Sequence, residues 1–363
     1  FFTNAGGVEA NSIARYDGNS WQSLDSEMNY DVLALTVYNG DLIAGGIFTV
    51  AGGIEANKIA RWDGNSWYPL GSGMSGSLGP DIAALTIYNG ELIAGGYFKK
   101  AGGIDVNHIA RWDGISWKAL GSGMNGNVFA LTVYDGNLIA GGNFRIAGGA
   151  TAYRIARWDG NSWQSLDSGI NGNINTLTVY NGELIAGGYF STAGGVTTGS
   201  IARWDGNLWQ SLCSGIDYSV DTLTVYNGEL IAGGYFYTAG GISVNRIARW
   251  NGSLWQSLGG GMNDGIKALT VYNGELIAGG YFTTAGNNVS AYWARWGEPN
   301  HIEGDLNHDC AVDLYDLQWL VERWLNNDCM YNGWCYEADL NYDFKVDFDD
   351  FSNLAYNWLA EFN

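Results

Sequence analysis

Proline is nearly missing from this chain: three residues among 363, against 55 glycines. That balance excludes a proline-rich linker and a collagen-type repeat, and calls for tight turns and close backbone approach. Histidine is equally scarce, with His108, His301 and His308 as the whole supply, too few and too scattered for a histidine-rich metal cluster. Positive charge is short as well. Lys and Arg number 17 against 37 Asp and Glu, a formal net charge of −20. Such a chain is repelled by nucleic acid and by anionic membranes. No apolar run approaches the roughly 18 residues of a membrane span. No initiator Met or signal peptide precedes Phe1, which falls inside a repeat. The chain therefore reads as processed or as part of a longer precursor.

Cysteine is sparse but unevenly placed. Cys310, Cys329 and Cys335 share one C-terminal segment, while Cys213 stands alone where sister repeats carry Gly or Asp. The compact trio suits an oxidising, extracellular setting. Cys329 and Cys335 are near enough in sequence to pair, and free buried thiols are the alternative.

What the chain has in abundance is one unit of about 46 residues, written six times and complete from Asn173 to Tyr218. Its phrase LIAGG returns at Leu42, Leu92, Leu138, Leu184, Leu230 and Leu276. A period of this size marks an array in which no single unit buries its own apolar face. Within each unit, ALTVY meets LIAGG across Asn39-Gly40, Asn89-Gly90, Asp135-Gly136, Asn181-Gly182, Asn227-Gly228 or Asn273-Gly274. Asn-Gly and Asp-Gly tolerate positive φ at both central positions, the signature of a type I′ hairpin. A second hairpin joins IARW to SWQSL through Asp63-Gly64 and its equivalents. Two hairpins per unit predict a four-stranded antiparallel sheet.

Two aromatic positions repeat with the strands. Trp21, Trp67, Trp117, Trp163, Trp209 and Trp255 open the fourth strand; Trp62, Trp112, Trp158, Trp204, Trp250 and Trp296, with Tyr16 in the first copy, end the third. Flat side chains at fixed places are expected to fill the gaps between sheets; a sugar-binding aromatic platform is the sharper alternative. The glycine pair of LIAGG is expected to admit a close backbone or ring. The Arg of IARW recurs seven times, from Arg15 to Arg295. In a strand it shares a face with the Asp two residues on, as Arg61 does with Asp63, so a structural ion pair or a bond to a carbonyl is expected.

Four strands, a Gly pair and Asp-Gly shortly before a Trp resemble the kelch-type β-propeller repeat, over residues 1 to about 296. The resemblance implies an all-β propeller with ALTVY innermost and SWQSL outermost. Counting ALTVY, LIAGG and SWQSL strands gives six blades. The last blade is expected to take its inner strands from residues 266–282 and its outermost strand from residues 19–26, sewing the two ends together. One third strand, at Arg15 or Arg295, is then left over. It is either redundant or completes a neighbouring molecule in a fibre. The resemblance also brings copper-radical oxidases to mind, but the histidine supply does not support that chemistry. Repeat carboxylates fall mainly at turns, and the loops are short and uniform apart from a four-residue insertion around Ser75 to Pro80. No enzyme is expected.

After Glu298 the composition changes. Residues 301–363 hold 14 acidic and two basic side chains, a balance of −12 that leaves −8 for the first 300. DLNHDCAVDLYD from Asp305 matches DLNYDFKVDFDD from Asp339 at a spacing of 34 residues. Loop positions 1, 3, 5, 9 and 12 carry Asp305, Asn307, Asp309, Asp313 and Asp316, then Asp339, Asn341, Asp343, Asp347 and Asp350. Backbone carbonyls of Ala311 and Lys345 fall at position 7. Alternating oxygens of this kind converge on calcium, a hard cation that takes six to eight of them. Two ions are expected. Each loop runs into an amphipathic helix, marked by Leu317, Leu320, Val321 and Trp324, then by Phe351, Leu354, Ala355 and Trp358. The paired units resemble a type I dockerin over about residues 303–362, departing at position 6, where Cys310 and Phe344 replace Gly. The resemblance implies cohesin recognition through Leu314, Tyr315, Phe348 and Asp349, which differ from the small hydroxyl pair common in cellulosome dockerins.

The expected organisation is a six-bladed propeller over 1–297 and a small α-helical calcium-binding domain over 298–363. The expected role is a non-enzymatic, secreted or cell-surface attachment protein that docks to a cohesin-like partner or to another copy of itself, with fibre formation as one outcome. The alternative is a carbohydrate-binding or polysaccharide-degrading component recruited through its tail.

Overall fold

The computed structural model describes residues 2–24, 28–76 and 81–297, together with Leu317, Val321 and Phe351, which are helical. The chain divides into two compact units, Phe1–Thr270 with Ala278–Ala294, and Val271–Ile277 with Arg295–Asn363. The first unit is all-β and propeller-like. Its five four-stranded antiparallel sheets are built in the order the sequence dictates. In the fourth, Asn173–Tyr180, Glu183–Tyr189, Ile201–Trp204 and Trp209–Ser211 lie side by side in chain order. The first strands of successive sheets pack against one another: Val32–Tyr38, Asp81–Tyr88, Val128–Tyr134, Asn173–Tyr180 and Val220–Tyr226.

The turns follow from residue type. Asn181 and Gly182 both have positive φ, 49° and 77°, and Tyr180 pairs with Glu183 across them, as a type I′ hairpin requires. The second hairpin is fixed by a different device. The Asp63 carboxylate accepts backbone N–H bonds from Asn65 and Ser66, each at 2.9 Å. Asp17, Asp113, Asp159 and Asp205 repeat the arrangement.

The Gly pair of LIAGG serves two purposes. Each first strand carries a bulge, at Leu33, Ala83, Phe129, Asn175 and Asp221 in turn, where its register against the second strand shifts by one. The second glycine lies opposite that bulge. A Cβ on Gly142 would stand 2.0 Å from the Asn127 carbonyl oxygen. The first glycine faces the next sheet: a Cβ on Gly141 would stand 2.7 Å from Cγ2 of Ile174. Close approach is therefore both to backbone and to aliphatic side chains, rather than to rings.

The core lies between sheets. Tyr88, Ile93 and Ile109 of the second sheet are buried with Val128, Leu138 and Trp163 of the third and with Phe144 just beyond its second strand, and the other clusters repeat this pairing. The opening Trp of each fourth strand ties neighbours together. Indole N–H groups of Trp67, Trp117, Trp163, Trp209 and Trp255 donate to carbonyls of Leu24, Leu70, Leu120, Leu166 and Leu212 in the preceding repeat, at 3.0–3.5 Å. This satisfies the polar end of a buried ring, and these Trp residues are structural.

The chain ends differ from the expected closure. Trp21–Ser23 does not complete the sixth sheet but pairs with Ala14–Tyr16, in the register Ala14↔Ser23, Arg15↔Gln22, Tyr16↔Trp21. The sixth sheet has three strands, Ile266–Tyr272, Glu275–Gly280 and Trp293–Trp296. Both third strands are thus in use. The hairpin is set by a turn that Asp17 caps, and its rings still meet the other end of the array, with Tyr16 and Trp21 centred 6.3 and 6.1 Å from Trp293.

Candidate functional site

Most repeated polar side chains are committed to holding the sheets. Arg61 does not pair with Asp63, whose carboxylate caps its own turn; its guanidinium reaches across to Asp41 at 2.7 Å. The cross-strand register Ile43↔Arg61 brings the acidic residue beside the turn into reach. Arg111–Glu91, Arg203–Glu183, Arg249–Glu229 and Arg295–Glu275 are the same pair at 2.8, 3.2, 3.3 and 3.4 Å. The third sheet is the exception: Asn137 takes the acidic position, and Arg157 donates instead to the Gln164 amide oxygen. A cleft of about 320 Å³ opens there, lined among others by Tyr134, Asn137, Arg157, Asp167 and Trp204.

Individuality concentrates at the bulges. The bulged residues begin apolar, with Leu33, Ala83 and Phe129, and turn polar with Asn175 and Asp221. Bulges re-aim side chains, and here they gather a network across three repeats. The Asp221 carboxylate accepts from Lys267 Nζ at 2.6 Å, from Asn175 Nδ2 at 3.1 Å and from the Ser219 hydroxyl. The Lys267 ammonium lies 4.7 Å from the centre of the Tyr235 ring and 5.8 Å from that of Tyr281. Burial disfavours that ammonium, but the hydrogen bond and charge of Asp221 outweigh it and raise its pKa. Burial also raises the Tyr235 phenol, against the opposing effect of Lys267. A carboxylate holding three donors and an ammonium held charged form a network that ties three repeats together.

A second differentiated region borders the fourth sheet. The residue before IARW is Lys58, His108, Arg154 or Arg246 in four repeats, and its side chain folds inward onto a main-chain carbonyl. Lys58 donates to Ile47 at 2.9 Å and Arg246 to Tyr235 at 3.3 Å. Ser200 occupies this place in the fourth sheet, and a groove of about 710 Å³ lies beside it. Comparing the repeats at this position separates Ser200 from the four basic side chains, with Ser12 of the first copy sharing its residue type.

His108 is buried and structural: Nδ1 meets the Gly96 carbonyl at 3.3 Å and the ring stacks on Tyr97. Burial, aided by Lys99, holds its pKa below the ordinary imidazole value, while the Gly96 carbonyl and Asp81 work the other way. The folded chain therefore binds fewer protons than the unfolded one once pH drops below about 6.5, and stability falls there. Burial raises the Asp81 carboxyl, which acts with the opposite sign at lower pH. The melting temperature should drop between pH 7.5 and 5.5, and by less in His108→Gln; equal slopes would remove His108 as the cause.

The calcium-loop residues of 305–316 and 339–350, and the recognition positions Leu314, Tyr315, Phe348 and Asp349, lie outside the described residues. Leu317, Val321 and Phe351, beyond those loops, are in helical conformation. Cys213 is exposed and free, with its thiol 3.4 Å from the Ser253 carbonyl.

Two family models match the first unit. Residues 80–225 match the Rax2 C-terminal beta propeller domain, and residues 227–252 match a domain of unknown function, DUF5122, described as a beta-propeller. The chain is a β-propeller protein. Neither matching model is of the kelch or dockerin type. No curated protein matches the chain. Among solved structures, a crystal structure of the computationally designed Ika8 protein is similar at a TM-score of 0.47 and 14% identity, covering 76% of this chain and 74% of that one.

Proposed function

We propose that the chain is a non-enzymatic extracellular attachment scaffold, a six-bladed propeller carrying a calcium-organised docking tail. The observation that carries the scaffold half is the commitment of its repeated polar groups. The Arg side chains are spent on cross-strand pairs, the indoles on carbonyls of the preceding repeat, and the turn carboxylates on their own backbone. A surface built this way presents near-identical units at fixed spacing. Propellers host many functions, so the fold alone names no ligand.

The tail reading rests on the two matched loops, Asp305 to Asp316 and Asp339 to Asp350, and on the helical state of Leu317, Val321 and Phe351 just beyond them. Calcium would be held by the oxygens named above, neutralising the acidic loops and ordering the helices that follow. The partner is a cohesin-like protein. A second copy of the chain is the other reading, favoured by one observation: Leu33, Leu35 and Val37 are exposed on the first strand of the first sheet, while the equivalent Ala83, Leu85 and Ile87 in the next are half-buried.

Titration calorimetry of the full chain should register about two calcium ions per molecule. Asp305→Ala with Asp339→Ala should abolish the heat. An unmodified chain that takes up no calcium would overturn the tail assignment.

A further inference from the structure

The groove beside Ser200 has an internal control in the sister repeats. In four of them the equivalent side chain is Lys, His or Arg and turns inward as a plug, while the first copy carries Ser12. His108 meets the Gly96 carbonyl at 3.3 Å, Arg154 donates to Ile170 at 3.5 Å, and Arg246 also lies over the Tyr237 ring, 3.8 Å from its centre. In the fourth sheet the tripeptide before IARW is Thr198-Gly199-Ser200. Ser200 is almost fully buried, and its hydroxyl makes no hydrogen bond among the described residues. The Tyr189 carbonyl corresponds to the one that Tyr235 offers to Arg246, and it has no side-chain donor. Removing the plug leaves about 710 Å³, within the range of small-molecule sites, beside a free hydroxyl and a free acceptor direction.

The lining decides what fits. Asn173, Ser191, Thr197, Ser200 and Ser214 bring amide and hydroxyl groups, and Tyr189 brings a ring that is 58% exposed. Tyr218 stands beside that ring, 52% exposed, with ring centres 5.5 Å apart. Asp217 is not free to hold a cation, because its Oδ1 accepts the backbone N–H groups of Tyr237 and Thr238, each at 3.0 Å. The removed plug was the local positive charge, so an anion has no countercharge here. The complementary ligand is neutral, dense in hydroxyls and provided with C–H faces for two exposed tyrosines.

We infer that this groove, bounded by Tyr189, Ser200 and Ser214, is a binding site for a neutral carbohydrate. Hydroxyls of the sugar pair with Ser200, Asn173 and the Tyr189 carbonyl, and its apolar face lies on the exposed tyrosine rings. This goes beyond the scaffold reading by giving the propeller a ligand of its own, and it does not depend on calcium.

Affinity electrophoresis of the full chain in gels cast with soluble neutral polysaccharides (a β-glucan, a galactomannan and an arabinoxylan) tests it. The wild-type chain should be retarded by at least one of them, in calcium and in EGTA alike. Ser200→Arg, which returns a basic side chain to this place and refills the groove without placing a Cβ on Gly199 against the Ile216 backbone, should abolish retardation while leaving the far-ultraviolet circular dichroism of wild type. Tyr189→Ala should weaken retardation at least tenfold. Absence of retardation in all three gels, or unchanged retardation of the refilled variant, would overturn the site. Retardation lost in EGTA would also overturn it, by assigning sugar binding to the tail. Failure of calcium uptake alone would leave it standing.

Discussion

Trp163→Ala should lower the free energy of unfolding by about 3–5 kcal/mol, the usual cost of deleting a large buried aromatic. The ring is buried where the second and third sheets meet, among Tyr88, Ile109, Val128 and Phe144. Its loss leaves a cavity that side chains from two strongly paired sheets cannot collapse to fill. It also strips the Leu120 carbonyl of the indole donor at 3.0 Å. Trp163→Phe separates most of these effects, because it keeps an aromatic ring in the site and loses the hydrogen bond, at about 1 kcal/mol, with only a smaller change in volume. Stability in such arrays is carried by contacts between neighbouring units. Urea unfolding followed by far-ultraviolet circular dichroism should show Trp163→Ala shifted several times further than Trp163→Phe. Equal small shifts would mean that the indoles do not hold the sheets together.

Gly142→Ala is expected to be nearly as damaging for a different reason. One methyl group placed 2.0 Å from the Asn127 carbonyl oxygen and 3.1 Å from the Val128 Cα collides with backbone on both counts, so no side-chain rotation relieves it. The bulge at Phe129 would have to open, disturbing the register between Val128–Tyr134 and Asn137–Gly142. A cost on the order of 3 kcal/mol, the upper end for overpacking, is expected. Gly136→Ala, in the Asp135-Gly136 turn, provides the comparison. It has positive φ but no atom within 4 Å of a new Cβ, so only conformational strain of about 1 kcal/mol applies. Thermal unfolding of the two variants should rank them in that order. The reverse ranking would mean that the glycine pair is there for backbone freedom and not for space.

Much of this architecture was legible because short-range chemistry decides it. Asn181-Gly182 accepts two positive φ values, and that alone fixes a hairpin and its register. Asp63 caps its own turn through groups two and three residues away. Trp163 announces itself as core by recurring at one place in every unit. What the sequence hid was set by distance. Arg61 finds Asp41, twenty residues earlier, because strand register puts them together, while the nearer Asp63 is already occupied. Strand counting also misses the end of the array, because it does not show that Trp293–Trp296 takes the third place in the sixth sheet and leaves Ala14–Tyr16 to pair with Trp21–Ser23 alone. The network of Asn175, Asp221 and Lys267 is likewise assembled from three repeats, and no window of one repeat contains it. The groove is a middle case. Ser200 looks ordinary alone, and it becomes informative only beside Lys58, His108, Arg154 and Arg246.

The proposed function divides the chain by job: a propeller held by contacts between sheets, and a tail whose acidic loops take calcium. Scanning calorimetry of the full chain in calcium and in EGTA tests that division most directly. Binding to the folded state alone stabilises in proportion to the logarithm of free ligand over Kd, so only the part that binds calcium should move. The predicted result is two transitions in calcium, with the smaller one lost or shifted to markedly lower temperature in EGTA and the larger one unchanged. Identical thermograms in calcium and EGTA, or a larger transition that moves with the metal, would contradict it.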